Sequence, residues 1–228
     1  MLVFLDFETT GLDELDKICS IAVKSDEEEI FELINDGKKV STKASCVHNI
    51  TNEMLKGQPE FKKSSSYKFL VKNNNENNIL VVHNSNFIFE FLKKYNFVWK
   101  GDFIDTKRVS KHLIKELQSY DLPFLWFDLK LYRDEKKVLR QHNPLDDICM
   151  IEHLYHYHLE NSSLAKMLEL SSKNVLLQTF SFGKYNGSFI EEIAYQDSNY
   201  LRWLLSNSSE IDDDLKYSLE FYLKDIGL

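Results

Sequence analysis

Residues 1–25, MLVFLDFETTGLDELDKICSIAVKS, decide the fold. An apolar run from Leu2 to Phe7, with an acid at Asp6 and another just past it at Glu8, breaks at Gly11 and resumes as ICSIAV, which spells two strands joined by a polar turn. EIFELIN (29–35) reads as the third strand of a meander. Downstream, ILVV (79–82) is a buried strand ending in the turn HNSN, with a helix from about Phe87 to Tyr95. DFID (102–105) closes another strand before a helix, and LDDICMIEHLYHYHL (145–159) is a long amphipathic helix. A further helix is expected to start at Thr51 and to stop near Gly57 and Pro59. Strands that come first as a meander and then alternate with helices predict an α/β fold, a mixed sheet flanked by helices.

At 228 residues and 43% hydrophobic, the chain can bury one well-packed domain and a small second one. The stretch ENSSLAKMLELSSKN (160–174) mixes helix formers with serine clusters and reads as the boundary, giving domains 1–165 and 175–228, the second a small α+β module. The apolar runs have strand length and the N-terminal one meets an acid early, so neither a signal peptide nor a membrane span is expected, and a cytoplasmic location is. Cys19, Cys46 and Cys149 lie far apart without metal-like spacing and read as small core residues. The net charge of −8 is a poor electrostatic footprint for nucleic acid. A metal-dependent nuclease escapes that objection, because cations bound among cleft carboxylates invert the local sign.

Asp6 and Glu8 sit two apart on one strand, so the period of two puts both carboxylates on the same face. Like charges that close are costly unless a cation lies between them, which points to a divalent metal; the plainer alternative is one exposed and one capping acid. His142 precedes the doubled acid Asp146-Asp147 at the start of the long helix. Asp147 can close a metal site there, and His142 can act as general base on a water. His153 and His156 on the same helix read as a solvated face, and His48 and His83 as structural groups.

FLDFETTGL, CVHNITNEMLKGQPEF, VVHNSNF, FIDTKRVS and HNPLDD, in that order over residues 1 to 160, resemble the proofreading 3′-to-5′ exonuclease superfamily, in its DEDDh branch. The resemblance extends to the exonuclease subunit of bacterial replicative polymerases. It implies a ribonuclease H-like fold and removal of nucleotides from 3′ ends of single-stranded DNA or RNA with Mg²⁺ or Mn²⁺. It assigns Asp6, Glu8 and Asp147 as metal ligands and His142 as the base, with Thr9, Thr10, Leu12, Asn84 and Phe87 touching substrate. A polymerase or a second copy of the chain is the protein partner it implies. FGKYNG and YLRWLL resemble the exonuclease X-like C-terminal accessory domain, where Lys184, Tyr185, Arg202 and Trp203 offer basic and stacking groups; a turn with a core Trp is the alternative.

One position departs from the pattern. The resemblance places a catalytic Asp after Phe87, and this chain has Ile88. Glu90 does not replace it, because two residues along a helix is about 200° and turns it away. The expected consequence is one firm metal position and a weak or missing second one. Two further readings follow: a degenerate protein that binds nucleic-acid ends without cutting, and a phosphodiesterase acting on dinucleotides or other small molecules.

Overall fold

The computed structural model describes residues 1–115, 117–207 and 211–227. These fall into two compact units, Met1–Ser171 and Ser172–Leu228.

The first unit holds a five-stranded sheet of β1 (Leu2–Thr9), β2 (Ile18–Lys24), β3 (Glu29–Leu33), β4 (Ile79–Val82) and β5 (Phe103–Asp105), in the order β3-β2-β1-β4-β5. The first three strands pair antiparallel as the meander predicts, and β4 and β5 join in parallel. Its helices are α1 (Thr42–His48), α2 (Ser65–Asn73), α3 (Ser85–Lys93), α4 (Thr106–Leu113), α5 (Leu122–Asp128), α6 (Pro144–Asn161) and α7 (Leu164–Ser171). Strand alternation divides the core in two. Val3, Leu5 and Phe7 pack with Phe69 and Leu70 of α2 and with Ile88, Phe91 and Leu92 of α3. Phe4, Ala22, Val81 and Ile104 pack instead with Val109, Trp126, Ile148, Ile151 and Met167, from α4 to α7. The mixed sheet is therefore covered on both faces, as the order of elements predicts.

One expectation is corrected. Residues 51–56 form turns rather than a helix. Asn52 explains this: its side chain accepts from the Val40 N–H at 2.8 Å and donates to the Val40 carbonyl at 3.2 Å, which ties the segment down as a tether. The helix lies earlier, at α1, where the Ser41 hydroxyl caps the Ala44 N–H and Asn49 (φ 61°) ends it in the left-handed conformation. The two units divide after Ser171, within the 160–174 stretch read as the boundary, and α7, with Met167 and Leu170 buried in the core, belongs to the first.

The second unit contains α8 (Ile190–Gln196), α9 (Ser198–Asn207) and α10 (Asp213–Asp225) around Phe180, Ile190, Leu201, Leu204 and Leu219. Among its described residues the β contribution is one antiparallel bridge, Thr179 to Phe189. No helix among the described residues is long and apolar enough to cross a membrane.

Candidate active site

β1 delivers two acids at its C-terminal end. Since Phe7 packs toward α3, the pleat projects Asp6 and Glu8 from the other face, toward α6. The β1–β2 register shifts between Glu8 and Thr9, an irregularity of the kind that re-aims side chains beside functional sites.

α6 delivers the third acid. Asn143 caps this helix by accepting from the Leu145 N–H, and Pro144 opens it, so Asp147 falls in the first turn. One carboxylate oxygen from each of Asp6, Glu8 and Asp147 lies within 4.8 Å of the other two. His142, held at φ 61° just before the cap, places Nδ1 3.4 Å from Glu8 Oε1.

The electrostatics of the three acids are unfavourable as they stand. Burial, then the Asp147 and Glu8 charges, hold the Asp6 carboxyl well above the usual range. Burial and Glu8 push Asp147, 6% exposed, up to about 7, against the opposing pull of His142. Hydrogen bonding to Glu8 in turn raises His142. Three hard oxygen donors this close, with excess negative charge between them, are the donor set of a Mg²⁺ or Mn²⁺ site, so the residues present fit a divalent cation.

The expected substrate contacts are placed unevenly. Thr9 and Thr10 are buried, with their hydroxyls donating to the Gly11 carbonyl at 2.8 Å and to Asp16 Oδ1 at 2.7 Å. They shape the loop after β1 and do not point free hydroxyls outward. Leu12, by contrast, is 76% exposed. Asn84 is exposed at the start of α3 with φ 73°, and Phe87 is half-buried against Phe7, ring centroids 5.6 Å apart. Ile88 is 1% exposed within the apolar cluster of Phe7 and Phe91, so α3 adds no carboxylate to the set.

Two further residues, His48 and Asp105, position the site. His48 accepts the Ile50 N–H on Nδ1, which leaves its Nε2–H to donate to the Thr9 carbonyl at 3.1 Å and so hold the end of β1. The Asp105 carboxylate accepts the N–H groups of Asn84, Ser85, Lys107 and Arg108 and the Ser85 hydroxyl. One buried acid thus caps α4 and anchors the start of α3, which is why α3 begins at Ser85 without a capping side chain of its own. His83 bridges Thr106 Oγ1 and the Tyr120 carbonyl, and burial lowers it to about 4, which keeps it neutral. In the second unit, Lys184 and Tyr185 are engaged by Asp197, while Trp203 is 55% exposed.

Residues 3–155 match the Exonuclease family, and residues 180–209 match the exodeoxyribonuclease X-like C-terminal family. Among curated proteins, exodeoxyribonuclease 10 of Escherichia coli K12 is 26% identical over 98% of this chain and 99% of its own length. The PolC-type DNA polymerase III of Thermotoga petrophila is 32% identical over 79% of this chain, which spans 13% of that polymerase. Among solved structures, exonuclease X in complex with 5′ overhanging duplex DNA superposes with a TM-score of 0.62 at 22% identity, over 75% of this chain and 100% of that one. The nuclease domain of the DEDDh member 3′hExo, bound to rAMP, gives 0.54 at 15% identity over 70% of this chain and 92% of that one.

Proposed function

The chain belongs to the exonuclease family, and from that membership we propose that it removes nucleotides from the 3′ ends of single-stranded DNA, using a divalent cation held by Asp6, Glu8 and Asp147. The observation that carries this reading is the clustering of those three carboxylates, with His142 against Glu8. The end-to-end match to exodeoxyribonuclease 10 favours DNA over RNA as substrate.

When bound, Mg²⁺ or Mn²⁺ neutralises charge on the scissile phosphate and activates the attacking water as a Lewis acid. The chain's own residues do the rest. His142 faces Glu8 through Nδ1, so Glu8 favours the tautomer with its proton on Nδ1 and leaves Nε2 free to take the proton of the attacking water. The buried Asp147 and the Thr9 carbonyl held by His48 keep the two walls of the site in place. Leu12, exposed after β1, and Phe87, at the start of α3, offer apolar surface for the terminal base and sugar. Trp203 gives the accessory unit a stacking group for single strands.

Hydrolysis is expected to rise with pH through a histidine pKa, because the base works only when neutral, and Glu8 holds His142 above its ordinary value. His142→Ala should lower kcat by roughly 100-fold or more and flatten that rise. Turnover of a 3′-labelled single strand with Mn²⁺ across the histidine range measures both. An unchanged profile removes His142 from the mechanism.

A second reading, a protein that holds 3′ ends with little or no cutting, is favoured by one observation, the burial of Ile88 where the DEDDh pattern has an acid. Comparing cleavage with single-strand binding in the same preparation separates the two.

A further inference from the structure

α6 carries a second set of metal-ligating side chains, distinct from the carboxylate cluster. Cys149 and His153 are four residues apart, so both project from one side of the helix. Glu135, which follows a 3₁₀ turn at Leu131–Asp134, reaches back to them. The Cys149 thiol donates to Glu135 Oε2 at 3.3 Å, and His153 Nε2 lies 3.5 Å from the same oxygen. All three ligand atoms fall within 4.8 Å of one another. The Trp126 indole meets the His153 ring edge-on, centroids 5.3 Å apart at 77°, which fixes the direction of the imidazole.

These distances resemble those of a loaded site. Tetrahedral zinc with Zn–S of about 2.3 Å and Zn–N and Zn–O of about 2.0 Å has S···O and N···O separations of about 3.5 and 3.3 Å. The observed pair differs from those values by only a few tenths of an ångström. The donor chemistry also separates the two sets. Asp6, Glu8 and Asp147 are all hard oxygens, whereas one sulfur, one imidazole and one carboxylate select a borderline-soft cation such as Zn²⁺ over Mg²⁺.

We propose that Glu135, Cys149 and His153 bind a zinc-class cation, with solvent in the fourth position, and that this cation fastens the segment leading to His142 onto α6. On binding, the Cys149 S–H bond breaks, its proton goes to solvent, and the sulfur electron pair forms the bond to the metal; no oxidation is involved. Glu135 and His142 lie on the same connection into α6. Ligation at Glu135 therefore shortens the free segment that carries His142. The metal site is independent of whether the chain hydrolyses nucleic acid, and its test needs no activity.

The test is titration of the full chain with Co²⁺, in an Asp6→Asn background that silences the carboxylate cluster. One equivalent of Co²⁺ should produce a thiolate-to-cobalt charge-transfer band with the visible bands of a tetrahedral ion. Zn²⁺ should displace it. Cys149→Ser should abolish the charge-transfer band, and His153→Gln should weaken binding at least tenfold, with circular dichroism confirming that both variants are folded. Zn²⁺ should also slow amide exchange over residues 135–142 in the parent but not in Cys149→Ser. Absence of the band at millimolar Co²⁺, or its persistence in Cys149→Ser, overturns the site. A band without slowed exchange overturns the fastening role.

Discussion

Asp147→Asn should lower 3′-end hydrolysis by about three decades or more and, in the same protein, raise the melting temperature of the metal-free form. The first effect follows from removing one of three ligands of the proposed cation, whose charge stabilisation is worth several kcal/mol of barrier. The second follows from the sign of the Asp147 shift. Its folded value of about 7 lies above the unfolded value of about 3.9, so its contribution to stability is fully present below the unfolded value and is lost as pH rises through the folded one. Above pH 7 the wild type carries an ionised, buried acid beside Glu8, and a neutral Asn avoids that cost. The difference is on the order of 2–4 kcal/mol, with the neighbouring acids sharing the proton. For a unit of this size that is several degrees. The gap between variant and wild type should close as pH falls toward the unfolded value. Mn²⁺ should raise the melting temperature of the wild type and leave Asp147→Asn almost unmoved. A variant no more stable than wild type at alkaline pH without metal would mean that the acids are not under the strain their geometry implies. A metal-induced shift that survives the substitution would move the ligand set elsewhere.

Much of this arrangement was legible in the chain itself, and the reasons differ by residue. Asp6 and Glu8 share a face because a strand repeats every two residues, so their meeting needs no tertiary information. Asp147 is harder, since only the sheet order and the packing of α6 against β1 bring it to them; there the recurring motif order supplied what periodicity does not. Thr9 and Thr10 show what residue type leaves out. Their types invite a substrate role, but partners two and six residues onward claim the hydroxyls, which sequence spacing alone does not reveal. Asp105 ends a strand as an unremarked acid, yet its carboxylate collects donors from two helices far apart in sequence. Cysteine spacing isolates Cys149 and histidine spacing pairs His153 with His156, and neither pattern points to Glu135. The Cys149–His153 spacing of four was readable, but the third ligand arrives from an irregular segment with no period to follow.

Ile88→Asp tests whether one side chain accounts for the chemical deficit implied by the DEDDh pattern. The position is 1% exposed and packs with Phe7 and Phe91, so the change removes an aliphatic group from the core and leaves a carboxylate there. Without metal this should cost about 3–5 kcal/mol, from lost burial and from desolvating the acid, which will stay protonated near neutral pH. With Mn²⁺ the balance changes if the new acid takes the ligand role that the DEDDh pattern gives this position, since a cation held there offsets its desolvation and draws it into the ionised form. The destabilisation should therefore shrink on adding Mn²⁺, and Mn²⁺-dependent cleavage of 3′-labelled single strands should increase at least about tenfold, a barrier change of about 1.4 kcal/mol. Single-strand affinity should change little, because the gain lies in stabilising the leaving oxygen and not in holding the strand. Two results would sink the idea. Wild-type protein that already cleaves at ordinary enzyme rates would mean that the fourth acid is not needed, so its restoration has nothing to repair. A folded Ile88→Asp protein that binds strands, responds to Mn²⁺ in its melting temperature and still does not cut would mean that the cleft lacks more than a carboxylate, and that the chain works by holding 3′ ends.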